Sequence, residues 1–247
     1  MSIYFWLALG CFIILVLYNL YGVFKKRDKI FPRVVDVLII LFTTMLSVFL
    51  GTHFSELENQ KEERRNYESY LTVALNDLNN NKRSIVNISK SLRELQKNND
   101  TIFAEGEMGY PIYKYPYAFR SMYGNDLFLK STSQFTIHFL SQAQSTMDHY
   151  FNRLKNADTV NPEIFKNLRK YAFELDVIQL LILNELYYQH GILNEKDLQF
   201  GELIVSDPEN TEKHFPNEYK MFWDKIEKNR KLVDKINQIL PPDAGQN

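Results

Sequence analysis

Two long apolar stretches within the first 54 residues constrain this chain more than anything that follows them. Residues 2–24 carry no charged side chain. As a helix rising about 1.5 Å per residue, that run reaches roughly 35 Å, enough to cross a hydrocarbon core of about 30 Å. A second run, residues 37–54, is long enough to cross with little tilt, with Asp36 and His53 near its two ends. The expected fold is therefore all-α. A two-helix transmembrane hairpin occupies residues 1–55, and a helical soluble domain occupies residues 56–240 as an antiparallel bundle with a long juxtamembrane helix. A disordered tail follows at 241–247.

The first run reads as a retained span. A cleaved signal peptide places its basic residues before the apolar run, whereas Lys25, Lys26 and Arg27 follow it. Cys11, the single cysteine, sits after Leu7-Ala8-Leu9-Gly10, a faint likeness to a lipoprotein cleavage box. The apolar run continues well beyond it, so a buried thiol is the better reading. One cysteine excludes an intrachain disulfide and any multi-cysteine metal site.

Charge sets the expected orientation. Lys25, Lys26, Arg27, Lys29 and Arg33 oppose Asp28 alone between the two runs, while Glu56, Glu58, Glu62 and Glu63 mix with Lys61, Arg64 and Arg65 after the second. The positive-inside rule then puts the hairpin loop in the cytoplasm of a bacterial inner membrane and the soluble domain outside it. Five of 29 basic and two of 30 acidic side chains lie before Val37, leaving 24 against 28 for the rest. That balance argues against direct nucleic-acid binding.

Within the second run Thr43, Ser47 and Gly51 recur every four residues, a small-residue stripe that lets another helix approach closely. The partner helix is either the first span, where Asn19 could hydrogen-bond across the interface, or a second copy of the chain. Beyond the membrane, Tyr67, Leu71, Ala74, Leu78, Asn81, Ile85, Ile88, Leu92 and Leu95 alternate spacings of four and three, a heptad seam. Leu71, Leu78, Asn81, Ile85 and Leu92 either form a self-association seam, with Asn81 fixing register, or pack within their own domain as in any bundle. No proline lies between Pro32 and Pro111, so span and seam are expected to share one continuous helix.

Residues 100–130 break the helical pattern. Gly106, Gly109, Pro111, Pro116 and Gly124 punctuate them, and Tyr113, Tyr115, Tyr117 and Phe119 alternate like a short strand. The tyrosines of this insertion are expected to cap the open end of the core, with a membrane interface or a partner surface as the alternatives. A helix over 133–155 follows, with Phe139, Ala143, Met147, Tyr150 and Leu154 on one stripe. Asn161 as N-cap, Pro162 at the first helical position and Gly191 past the end then delimit the central core helix. After a loop around Ser206-Asp207-Pro208, a last helix is expected over 217–240, with Phe222, Ile226, Val233 and Ile236 inward.

Chemistry is harder to find. His53, His138, His149, His190 and His214 fall into no zinc or di-iron spacing. Asp148 and His149 are helix neighbours pointing about 100° apart, which does not make a dyad. There is no phosphate-cradling glycine loop and no nucleophile elbow. The expectation is a protein without catalytic site or cofactor, whose partner is the lipid bilayer. In layout, with two spans at 2–24 and 37–54 and a helical remainder, the chain resembles the two-span effectors of bacterial retron and other anti-phage abortive-infection modules. That resemblance implies a membrane-damaging effector that oligomerises when released by a regulatory protein or ribonucleoprotein encoded nearby. It rests on layout, so it assigns no site residue. The alternative is a membrane-anchored sensor or scaffold with an extracytoplasmic bundle.

Overall fold

A computed structural model describes Gly10, Ile13, Ile14, Leu17, Tyr18, Tyr21 and residues 30–97, 113–157 and 159–237, the side chains of residues 30–37, Lys235 and Asn237 excepted. Every regular element among the described residues is helical, with no β-strand. The chain divides into two compact units, Met1–Arg64 and Arg65–Asn247.

In the first unit Gly10, Ile13, Ile14, Leu17, Tyr18 and Tyr21 are helical. The remainder of the expected first span, the basic loop, most of the glycine-rich part of the insertion and the tail lie outside the described residues. Helix α1 runs Ile30–Lys97 without a break, as the absence of internal proline predicts. Pro32 falls in its first turn, where a missing N–H removes no intrahelical bond. Residues 54–66 of α1 are exposed throughout, and burial begins at Tyr67, two residues into the second unit.

In the second unit the seam turns inward. Tyr67, Leu71, Ala74, Leu78, Asn81, Ile85, Ile88 and Leu92 are all buried in the single chain. Beyond Pro116 come α2 (Tyr117–Ser121), a 3-10 turn (Met122–Gly124) and α3 (Asp126–Ser131). The strand-like alternation expected here is therefore not a strand. Phe119 is buried while Tyr117 is 70% exposed, as suits positions two apart on a short helix, about 200° around its axis. The aromatic segment nonetheless joins the core, through Tyr115, Phe119, Met122 and Phe128.

Helix α4 (Gln134–Lys155) starts at Ser133, whose hydroxyl accepts from the Thr136 N–H. It packs along α5 (Pro162–Gln189), which begins and ends as its punctuation dictates. Asn161 Oδ1 accepts from the Ile164 N–H at 3.0 Å and Pro162 opens the first turn. Gly191 then takes a left-handed φ of 71°, which lets Ile192 N–H reach back to the Tyr187 carbonyl. The buried stripe of α5, including Leu168, Leu175, Ile178 and Ile182, faces Leu140, Met147 and the seam across one continuous core.

The C-terminal third is more finely divided than its periodicity suggests. Helix α6 (Glu195–Ser206) opens with a reciprocal capping box between Asn194 and Asp197, and Asp207 then caps α7 (Pro208–His214). The single helix expected over 217–240 is instead α8 (Pro216–Lys228) and α9 (Arg230–Asn237). Asn229 separates them, its side-chain amide bonding the Lys225 carbonyl that a continuing helix would have used. Phe222, Val233 and Ile236 are buried as expected despite the break.

Candidate functional site

Among the described residues, Leu38–Lys97 of α1 is the one helical stretch long and apolar enough, by length and composition, to cross a membrane, and none of its 18-residue apolar window is buried inside the protein. Ile40, Met45 and Val48 are each more than 60% exposed. In water such a surface is costly, at about 25 cal/mol per Å² of apolar area. Thr43 Oγ1 donates to the Ile39 carbonyl (2.7 Å), Thr44 to Ile40 (2.8 Å), Ser47 to Thr43 (2.8 Å) and Thr52 to Phe49 (2.9 Å). Each hydroxyl of residues 38–54 is thus satisfied within its own helix, the condition a hydrocarbon solvent imposes. At the far end His53 stacks parallel to Phe49 at 6.3 Å between centroids.

Thr43, Ser47 and Gly51 all lie on exposed surface, and a Cβ built on Gly51 would meet nothing within 4 Å. The stripe is an open, shallow face. Asn19, Lys25, Lys26, Arg27 and Lys29 lie outside the described residues, and Arg33 is placed only as backbone in the first turn of α1. The residues that carry the orientation argument are therefore not among those whose side chains the structure describes.

Leu71, Leu78, Asn81, Ile85 and Leu92 are buried in the core of their own unit, as the reading of the heptad as packing within the chain expects. Asn81 donates to the Asp77 carbonyl at 2.9 Å and to Asp77 Oδ1 at 3.2 Å. Asp77 Oδ2 in turn accepts from the Ala118 N–H at 2.8 Å, so the polar seam position helps pin α2 to α1.

A buried polar hub ties α1 to the rest of the unit. Glu185, in the apolar interior of α5, is fully buried and accepts from Thr136 Oγ1 (2.7 Å), Gln189 Nε2 (2.7 Å), Tyr67 Oη (3.4 Å) and the Ser133 N–H (3.4 Å). Tyr67 also shares a 2.9 Å hydrogen bond with Thr132. Burial, reinforced by the Glu185 charge, pushes the Tyr67 phenol well above its ordinary value, so it remains a donor. Beside the hub His190 Nε2 lies 3.4 Å from Glu68 Oε1. The sequence offered one signal for Glu185, a lone carboxylate within Leu181-Ile182-Leu183-Asn184-Glu185-Leu186, and such a residue must find several donors to be buried ionised.

A second cluster fastens the aromatic segment. Tyr115 donates to Asp148 Oδ1 of α4, Tyr171 of α5 donates to the Lys114 carbonyl at 2.9 Å, and Phe151 meets Tyr115 edge-on at 5.0 Å. Asp148 thus serves Tyr115 rather than its neighbour His149. Between α4, α5 and α6 runs a groove of about 220 Å³, lined by Phe139, Ala143, Thr146, Phe173, Glu174 and Val177 among others. Desolvation raises the Glu174 carboxyl from its ordinary value, against a smaller opposing pull from Lys170. No group of three or more His, Cys, Asp or Glu among the described residues could hold a metal ion.

These features define a helical protein with one candidate membrane-spanning helix among the described residues and an aromatic-rich helical unit in which the buried Glu185 joins several elements. No family model, no curated protein and no solved structure matches the chain.

Proposed function

We propose that the protein is a non-enzymatic, membrane-anchored effector that acts on the bilayer itself, through assembly of its spanning helices when a partner releases the helical unit. The observation that carries the reading is the exposed apolar surface of residues 38–54 with its open Thr43, Ser47 and Gly51 face. Since the heptad seam is occupied within its own unit, any assembly of copies would run through the spans. A two-span inner-membrane hairpin with the bundle packed antiparallel beyond it, as in abortive-infection effectors, completes the proposal.

The test is expression in bacteria with membrane potential and propidium uptake as readouts. Depolarisation and dye entry that disappear in Gly51→Ile, at equal membrane content, would support assembly through this face. Normal growth and unchanged permeability at high expression would overturn the reading. Sidedness is measured separately, with Glu58→Cys in a Cys11→Ser background labelled by an impermeant maleimide in intact cells. Labelling places the helical unit outside, as the charge rule expects. Protection places it in the cytoplasm, within reach of a cytoplasmic regulatory partner.

The sensor or scaffold reading draws on the groove between α4, α5 and α6, whose aromatic walls and half-buried Glu174 offer a partner an apolar and acidic surface. Loss of a specific crosslinked envelope partner in Phe173→Asp, with membrane permeability normal throughout, would favour it over the effector.

A further inference from the structure

Among the described residues of the second unit two carboxylates are buried, and they are provided for in opposite ways. Glu185 has four donors, as described above. Glu202, on α6, is equally inaccessible at 2% exposure, yet neither of its oxygens has a hydrogen-bond partner in the protein. The helix that carries it has no room to shift inward. A Cβ on the adjacent Gly201 would come within 2.8 Å of Asn184 Nδ2 on α5 and 3.2 Å of the Phe222 ring on α8.

No cation from the surrounding elements answers Glu202. From α5 the group acting on it is Glu185, which is of like charge. From α8 Lys225 is paired with Asp197 near the start of α6, and Glu218, Lys220, Asp224, Glu227 and Lys228 are exposed. On α7 Glu209, Glu212, Lys213 and His214 are exposed as well. From α1 Tyr67 is bonded to Glu185 and Thr132, while Glu68 lies against His190 at the end of α5. An ionised carboxylate with no donor, beside a second carboxylate, is the arrangement that low-dielectric burial penalises most.

We propose that Glu202 is a proton-binding site whose proton holds α6 seated between α5 and α8, so that losing it unseats α6. Desolvation first, and the Glu185 charge second, push the Glu202 carboxyl from an ordinary 4.5 up to about 8. Because the folded value lies above the unfolded one, the contribution is full below about 4.5. It is lost progressively as pH rises to about 8, where the curve flattens because both states are then ionised. Inside that window the folding constant falls by up to about tenfold per pH unit. The inference concerns the helical unit alone and does not depend on how the chain acts on a membrane.

The experiment uses the detergent-solubilised full chain. Amide hydrogen exchange in α6, corrected for intrinsic rates, is expected to be about tenfold or more faster near pH 9 than near pH 6. Glu202→Gln, neutral at every pH, should abolish that difference while α4 and α5 behave as before. An infrared difference spectrum between the two chains at neutral pH should show one protonated carboxylic acid that the variant lacks. This second readout holds even if the variant packs less well. The same pH dependence in Glu202→Gln, or no protonated acid assignable to Glu202, would overturn the proposal.

Discussion

Two stretches of α1 meet opposite surroundings. Residues 38–54 are apolar around the whole circumference and lie exposed, with their hydroxyls turned back onto their own carbonyls. From Tyr67 to Leu92 a stripe of residues at alternating four and three spacings is buried in the core of the second unit, while Tyr70, Val73 and Val86 on the other faces stay exposed. The difference lies in both composition and angular distribution, since residues 38–54 carry no Asp, Glu, Lys or Arg and the second stretch carries Glu68, Asp77, Lys82, Arg83 and Lys90. A helix apolar all round needs an apolar solvent, whereas a helix apolar on one stripe needs only other helices. The polar atoms repeat the contrast, since the hydroxyls of the first stretch bond locally, whereas Tyr67 and Asp77 of the second also bond other segments.

The largest effect that could break this contrast is expected at Leu78, fully buried on the seam. Leu78→Ala should destabilise the helical unit by about 2–5 kcal/mol, while Leu57→Ala on the exposed part of the same helix should stay within about 0.5 kcal/mol. Denaturant unfolding of the solubilised chain, followed by circular dichroism, measures both. Equal effects at the two sites would mean that the seam is not core. Next in size is Val48→Lys, near the middle of the apolar stretch. A charge there costs about 2.5–3.5 kcal/mol if its solvent is hydrocarbon, and almost nothing if it is water. Carbonate extraction should recover this variant in the soluble fraction far more than Leu78→Ala. Indifference to the lysine would refute a lipid environment for residues 38–54.

What was legible in the sequence follows the same division. Periodicity and punctuation located the seam of α1, the start of α4 and both ends of α5, because Asn161, Pro162 and Gly191 act through backbone geometry that needs no tertiary partner. Helices α6 and α7 escaped notice. Gly201 reads as a helix breaker, and its reason for being there, the close approach of Asn184 and Phe222, is a tertiary fact. The break at Asn229 was hidden because Phe222, Ile226, Val233 and Ile236 keep helical spacing across it. The alternating Tyr113, Tyr115, Tyr117 and Phe119 misled for a related reason. Pro116 marks the start of α2 midway through the pattern, and aromatic residues on either side of it reach one core from different backbones. The buried glutamates were the least legible, since no local rule shows which charged residue of an amphipathic helix points inward. Glu185 becomes intelligible only once Thr136, Gln189, Tyr67 and Ser133 converge on it.

The smallest effect sharpens the comparison through two single-hydroxyl changes on one helix. Tyr67→Phe keeps the ring and its contact with Phe128 but removes the bonds to Thr132 and Glu185. Glu185 still holds Thr136, Gln189 and the Ser133 N–H, so its charge is not orphaned and the loss should be about 1–2 kcal/mol. Thr43→Val removes a hydroxyl that bonds only the Ile39 carbonyl of its own helix. That carbonyl keeps its place in the backbone ladder and an apolar side chain suits hydrocarbon, so the unfolding midpoint of the helical unit and the carbonate resistance should both be unchanged. If Thr43→Val instead weakened membrane retention or altered the oligomer seen by crosslinking, its hydroxyl would be contributing to a helix interface. The Thr43, Ser47 and Gly51 face would then be polar glue rather than a steric notch. A neutral Tyr67→Phe would show, conversely, that Thr136, Gln189 and the Ser133 N–H suffice to hold the hub and that α1 stays in place by its apolar seam.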